Sequence, residues 1–452
     1  MRMERDMLGE LAVDDDALFG IHTTRAKENF ALGGRGTNKR LIEAVVTVKK
    51  AAALTHAALD ETRAPIHRAI AEACDIALSG GADGQFPVEA LQGGAGTSTN
   101  MNVNEVLANL ALERCGHTRG DYSYIHPLDD VNRAQSTNDV YPTALRIAAI
   151  GQLRRVSDAC AKLQETLQHK ENAFDGIQKL GRTELMDAVP ITLGAEFGAY
   201  AQAVARDRWR IYKVEERLRQ INLGGTAVGL ATTADRKYRF GVIEKLRELT
   251  GYGLAAAEYP MDITQNNDVF VEVSGLLKAL AVNLMKLSND LRLMNSGPHG
   301  GFGELRLAPV QAGSSIMPGK VNPVIPEMAM QVAMRVIAND SAVTLAAAHG
   351  EFELNAFLPL IADALLESLE LLEATLTLLR TKCIELIEPD RERCAALLNA
   401  SYAVAASYIP LLGYDAVSRI ISENGGDSAK IRAVLAAQAE QRSRSVPPTK
   451  EP

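Results

Sequence analysis

Cysteine is scarce and scattered in this 452-residue chain: Cys74, Cys115, Cys160, Cys383 and Cys394 are five in number, with no Cys-x-x-Cys spacing. An odd, unpatterned set excludes a disulfide framework, offers no zinc site and points to reduced thiols in a cytoplasmic protein. Positive charge is also in deficit. Lys and Arg number 48 against 56 Asp and Glu, a net charge of -8 that repels phosphate backbones and argues against nucleic acid as partner. A small anionic ligand stays open if positive charge is gathered locally. No stretch approaches the roughly 18 to 20 unbroken apolar residues of a membrane span, and Arg2, Glu4, Arg5 and Asp6 stand where a signal peptide would be apolar, so neither membrane nor export is expected. What is present, 47% hydrophobic and 23% charged residues, is ordinary for a globular protein of two or three domains.

The densest chemistry lies in Gly313-Ser314-Ser315-Ile316-Met317-Pro318-Gly319-Lys320-Val321-Asn322-Pro323. It closes a long irregular segment, because Pro298, Gly300, Gly301, Gly303 and Pro309 leave little room for helix before it. Loops of that length are usually functional or disordered, and this one is not of low complexity. Two hydroxyls, an ammonium and a carboxamide between glycines read as a cradle for carboxylate or phosphate. A P-loop is excluded, since the second glycine comes one place late and Val321 follows the lysine. A plain surface loop is the alternative.

Three further polar clusters recur along the chain. Gly93-Gly94-Ala95-Gly96-Thr97-Ser98-Thr99-Asn100 leads into a helix predicted from Met101. With no preceding strand and no third glycine, it is poor evidence for a dinucleotide, and a capping turn is the plainer alternative. Gln135-Ser136-Thr137-Asn138-Asp139 stands before Pro142, which is suited to the first turn of a long helix. Gly181-Arg182-Thr183-Glu184 is a polar turn between bundle helices. Clusters at helix starts aim backbone donors at a common anion more readily than any one alone.

The remainder is helical in pattern. Lys39 to Ser79 reads as two alanine-rich helices broken near Pro65. The first forty residues read as irregular, Tyr259 to Asn267 as a polar linker, and Arg442 to Pro452 as a frayed tail. Apolar residues recur every three or four places at Val156, Cys160, Leu163 and Leu167, from Leu277 to Met294, and from Leu365 through Cys383 to Leu386. Helices of about 30 residues are roughly 45 Å long, and seams of that extent are best buried by partner subunits, so a homo-oligomer is expected.

Together these clusters resemble the aspartase/fumarase superfamily, over nearly the whole chain from Glu4-Arg5-Asp6-Met7-Leu8-Gly9 to about Ile421. The Gly313 to Asn322 stretch is the most specific match, joined by Gly96-Thr97-Ser98-Thr99-Asn100-Met101-Asn102, Gln135 to Asp139 and Gly181-Arg182-Thr183. Gly20-Ile21-His22-Thr23 and Leu128 lean toward the ammonia-lyase branch rather than the fumarases. The resemblance implies an all-α, three-domain subunit: an N-terminal helical domain over 1–140, a central long-helix bundle carrying the Ser-Ser loop over 141–388, and a small C-terminal helical domain over 389–452. It implies a homotetramer with a twenty-helix bundle, active sites shared between subunits, and reversible deamination of L-aspartate to fumarate and ammonia with no organic cofactor; the sequence itself shows no metal-binding motif. Ser314 is then the general base. Lys320 and Asn322 hold the α-carboxylate, Thr97, Ser136, Thr137 and Ser315 the β-carboxylate, and Asn138 and Thr183 lie near the amino group. A class II fumarate hydratase and a catalytically silent relative are the alternatives.

The chemistry agrees with the residue types. Taking a proton from carbon beside a carboxylate creates an enediolate, which preorganised Ser, Thr and Asn donors at helix starts are suited to stabilise. Serine is a weak base until its surroundings activate it, by N–H groups that the loop glycines expose and by the charge of Lys320. Glu184 departs from the family pattern, which has His or Gln there. A carboxylate at that place can pair with an ammonium leaving group or simply with a neighbouring donor; an acid is also expected at Glu327. His126 with Asp129 resembles a second anion site, but Leu128 breaks that pattern and a structural role is expected for His126.

Overall fold

The structure, a computed structural model, describes residues 1–445. Helices dominate it, and among the described residues the strands form only two-stranded sheets. The first is a hairpin, β1 (Arg2–Asp6) against β2 (Gly9–Val13), and α1 (Ile21–Asn29) follows. The opening residues are therefore ordered, contrary to the irregular reading. Their order comes from distant carboxylates. Glu105 accepts from Gly20 N, His22 N and Thr23 N at 2.9, 2.8 and 3.1 Å, while Glu4 accepts from Ile21 N at 2.8 Å. These acids cap the N-terminus of α1, whose own N-cap, Gly20, has no side chain to do so.

Helices α2 (Lys39–Leu59) and α3 (Ala64–Leu78) form the expected pair, with Pro65 in the first turn of α3, where its missing N–H costs nothing. Next come α4 (Thr97–Arg114) and α5 (Thr137–Phe174), separated by a π-turn over Pro127–Val131. Pro142 lies inside α5 rather than at its start. A proline there leaves the Asn138 carbonyl without its helical donor, and Asn222 Nδ2 donates to that oxygen at 3.0 Å instead. His126 caps the π-turn through Nδ1, which accepts from Leu128 N and Asp129 N at 3.2 Å each. That is the structural role expected of it.

A second hairpin, β3 (Gln178–Thr183) with β4 (Met186–Thr192), precedes α6 (Leu193–Leu218). Then follow α7 (Arg236–Thr250), a short α8 (Pro260–Gln265) inside the expected linker, and α9 (Asp268–Met294). Beyond the long loop come α10 (Val324–Ala348) and α11 (Leu358–Lys382). Four shorter helices close the described chain: α12 (Arg391–Ala400), α13 (Ile409–Leu412), α14 (Tyr414–Glu423) and α15 (Ser428–Ser445). Arg442 to Ser445 are thus helical, not frayed, and the rest of the expected tail lies outside the described residues. All five cysteines are free. No single helix among the described residues is long and apolar enough to cross a membrane.

The seams are core. Val156, Cys160, Leu163 and Leu167 are 0% exposed, and Leu277 to Met294 and Leu365 to Cys383 are likewise buried at the predicted spacing. Leu386 is the exception at 46% exposure, because α11 ends at Lys382 and a tight turn over Ile384–Leu386 puts Ile384 and Ile387 inward in its place. The chain forms two compact units. One holds Met1–Asp158, Trp209–Ala281 and Val332–Glu373; the other holds Ala159–Arg208, Val282–Gln331 and the residues from Ala374 onward. Each of α5, α6, α9, α10 and α11 contributes residues to both.

Candidate active site

In the first unit, the polar clusters lie at the starts of α4 and α5. The turn before α4 is strained: Gly94, Ala95 and Gly96 have φ of 83°, 57° and 95°, three successive left-handed residues of which one is a buried alanine. A Cβ on Gly96 would lie 2.3 Å from the Tyr141 ring, so only glycine lets this turn approach α5. The helix consequently begins at Thr97, a turn before the predicted Met101. The Thr97 hydroxyl donates to Gly94 O at 2.7 Å and would have to rotate to serve a ligand.

At the start of α5, hydroxyl direction is set by the protein. Ser136 Oγ accepts from Asn138 N at 3.2 Å, and Thr137 Oγ1 accepts from Asn100 Nδ2 at 3.1 Å. A hydroxyl that accepts from its own chain keeps its proton for something else. Asn138 donates through Nδ2 to Ala227 O at 2.8 Å, which leaves its side-chain carbonyl as an acceptor. Asp139 fastens the turn after residue 222, accepting from Gly224 N at 3.0 Å and Thr226 N at 2.9 Å. Burial pushes its carboxyl up to about 6 against these hydrogen bonds.

In the second unit, Thr183 and Glu184 lie at a turn between α5 and α6 as expected, but the turn is the tip of a β-hairpin, whose two strands the sequence reading did not anticipate. Glu184 and Leu185 form its two-residue loop with φ of 54° and 63°, the double left-handed geometry that normally selects glycine or asparagine. The strand register slips beside Gly181, where a Cβ would meet Val189 O at 2.6 Å. A buried ion cluster anchors the hairpin. Arg182 Nη1 donates to both Glu304 oxygens at 3.0 Å, Lys179 Nζ reaches Glu304 at 3.1 Å and Glu196 at 2.8 Å, and the Arg182 guanidinium lies over the Phe302 ring. The expected acid at Glu327 stands in the first turn of α10 and faces Arg292 at 3.8 Å.

The Ser-Ser loop is pinched shut at its base. Asn322 Nδ2 donates to Gly313 O at 2.9 Å, and a Cβ on Gly313 would sit 2.2 Å from Lys320 O. Within it, Ser314 Oγ accepts from Ile316 N at 3.2 Å and Met317 N at 3.0 Å. Donors aimed at the oxygen favour the alkoxide over the neutral hydroxyl. They come from Ile316 and Met317, not from the loop glycines. Ser315 and Lys320 are exposed, as are Thr183 and Glu184.

A lyase family model matches residues 9–338, and aspartate ammonia-lyases from Pseudomonas aeruginosa and Escherichia coli are 46% and 42% identical over 422 and 431 residues. The chain is a member of the aspartase/fumarase superfamily. Those alignments cover 93% and 94% of this chain and 89% and 90% of the relatives. Among solved structures of similar fold, a fumarate lyase–delta crystallin from Brucella melitensis has a TM-score of 0.92 at 43% identity, covering 99% of this chain and 100% of that one. A class II fumarase from Schistosoma mansoni has 0.91 at 30%, covering 96% and 95%. The superfamily motifs contain the candidate hydroxyls and Lys320, and also Asn100 and Asp139, but gave no sign that these two orient their neighbours, and Asn222 lies outside every motif. Their only trace in the sequence is polar residues at helix positions that an apolar pattern would fill, as in Asn100, Asn102, Asn104 and Glu105 of α4, all at most 2% exposed.

Proposed function

We propose that this chain is an aspartate ammonia-lyase that reversibly deaminates L-aspartate to fumarate and ammonia. The observation that carries the reading is Ser314, whose oxygen accepts two backbone N–H groups in a glycine-bounded loop with Lys320 and Asn322. As alkoxide it takes the C3 proton, and the electron pair rests on the adjacent carboxylate as an enediolate. That pair then forms the C2–C3 double bond while the C2–N bond breaks and ammonia leaves. Ser136, Thr137, Thr97 and Ser315 would hold the enediolate, and Lys320 and Asn322 the other carboxylate. The open carbonyl of Asn138 and the hydroxyl of Thr183 suit the substrate ammonium.

Identity above 40% to aspartate ammonia-lyases, against 30% to the class II fumarase, supports amine rather than water as leaving group. Purified protein given fumarate with and without ammonia tests this. Aspartate forms only when ammonia is present, and malate as sole product would replace the reading with fumarate hydratase. Among the described residues α5, α6, α9, α10 and α11 each have 25 or more residues, and four chains would bring twenty such helices together, which supports a homotetramer with sites shared between subunits; the division into 1–140, 141–388 and 389–452 is proposed with it. Cytoplasmic location accords with free thiols.

Glu184 is assigned to the leaving group. Its exposed carboxylate, held at the tip of a strained hairpin, suits an ammonium better than a neutral hydroxyl. Glu184→Gln is expected to lower kcat/KM for aspartate by about 10-fold to 100-fold, the range for losing one charged contact, with little change in any malate turnover. Unchanged kinetics with both substrates would remove Glu184 from the reaction.

A further inference from the structure

Behind the Ser136–Asn138 segment lies a buried charge that proton transfer does not use. Lys49, on α2, is 0% exposed, and its ammonium donates to Asn132 Oδ1 at 2.7 Å and Gln135 Oε1 at 2.9 Å. Both acceptors are neutral amides. Asn132 Oδ1 also accepts from Asn100 Nδ2 at 3.1 Å and Asn104 Nδ2 at 3.2 Å, and Asn100 Nδ2 donates onward to Thr137 Oγ1 at 3.1 Å. An ordered path thus links the ammonium to a hydroxyl of the anion site and leaves that hydroxyl to donate away from the protein.

The charged groups on the surrounding elements do little for Lys49. On α3, the Cys74 thiol is kept neutral by burial, and Asp75 pairs with Lys50. Glu105 on α4 is bound to the amides of α1. Ahead of α5, Asp130 pairs with Arg63, and Arg133 with Asp60. Asp139 on α5 attracts the ammonium but is held by three backbone N–H groups, those of Ser136, Gly224 and Thr226. A buried cation whose hydrogen-bond acceptors are neutral is incompletely balanced, and burial draws Lys49 down to about 7.

We propose that Lys49 is the positioning residue of the anion site: it sets the donor direction of Thr137 through Asn132 and Asn100, and a bound dicarboxylate completes the charge balance of its ammonium. The inference rests on the dicarboxylate reading above. Below the Lys49 pKa the ammonium is present with or without ligand. Above it, the free protein has lost the proton and must regain it on binding, so affinity falls by up to about tenfold per pH unit.

Succinate, an unreactive dicarboxylate, is the probe, titrated calorimetrically into the full-length protein in pairs of phosphate-free buffers of different ionisation enthalpy, MES and bis-Tris near pH 6 and HEPES and Tris near pH 8. Wild type is expected to take up a proton near pH 8 and almost none near pH 6. Lys49→Met should bind about 10-fold to 100-fold more weakly at the lower pH and lose the uptake, while Lys49→Arg should keep the charge and show no uptake at either pH. A folded Lys49→Met protein with wild-type affinity, or wild type that binds succinate near pH 8 without proton uptake, overturns the proposal. The second result needs no variant to fold. Wild type that fails to bind succinate at all would instead sink the dicarboxylate reading, and this inference with it.

Discussion

Ser314→Ala should lower ammonia release from L-aspartate by about 10³-fold, with KM changed far less, since a positioned base typically contributes 10² to 10⁴. The substitution removes the one atom on which the Ile316 and Met317 N–H groups converge. It leaves Lys320, and it leaves the Asn322 to Gly313 bond that closes the base of the loop. Substrate should therefore still bind, and the loss should appear in kcat. Ser315→Ala is the internal control: proposed as a carboxylate donor rather than the base, Ser315 should on substitution raise KM more than it lowers kcat. If Ser314→Ala stayed within about tenfold of wild type, the proton would have to be taken by another group.

The largest expected loss of stability comes from Glu304→Ala. Its carboxylate is 0% exposed and lies between Lys179, 1% exposed, and Arg182. Removing the acid leaves Lys179 with Glu196 alone and strips Arg182 of its paired oxygens. Breaking a buried pair from one side typically costs about 3 to 5 kcal/mol, because the surviving cations stay in a site of low polarity. Glu304→Gln keeps the shape and some hydrogen bonds and should fall in between. By contrast Glu72→Ala, which breaks an exposed pair with Arg114, should cost less than about 1 kcal/mol. Urea midpoints of the three variants measure this. Equal midpoints for Glu304→Ala and Glu72→Ala would mean that Glu196 and the backbone satisfy the buried cations unaided. Because Arg182 immediately precedes Thr183, activity at low temperature should drop as well, through a loosened hairpin rather than through lost contact with substrate.

Much of this molecule is written in local pattern. The leucine seams of α5, α9 and α11 were readable because helical periodicity is a property of neighbours in the chain, and the reading failed at Leu386, where a tight turn ended the period. The four polar clusters were readable for the same reason, glycines and hydroxyls being dense there. The hairpin at Thr183 and Glu184 escaped, since neither residue of its loop is one that such turns prefer and the slip at Gly181 blurs the alternation. Order in the first forty residues also escaped, because the groups that cap α1 include Glu105, 85 residues from Gly20.

The amino-acid order alone thus determined a long-helix bundle of the lyase family and singled out the hydroxyls, amides and ammonium proposed to hold an anion. Only the tertiary structure decided how those groups are held. Asn222 serving the carbonyl freed by Pro142, Asn100 turning the Thr137 hydroxyl outward, and Lys49 buried beneath Asn132 and Gln135 all join residues dozens of positions apart. A hydrogen bond depends on distance and angle in space, and such long-range pairings leave no periodic trace along a chain.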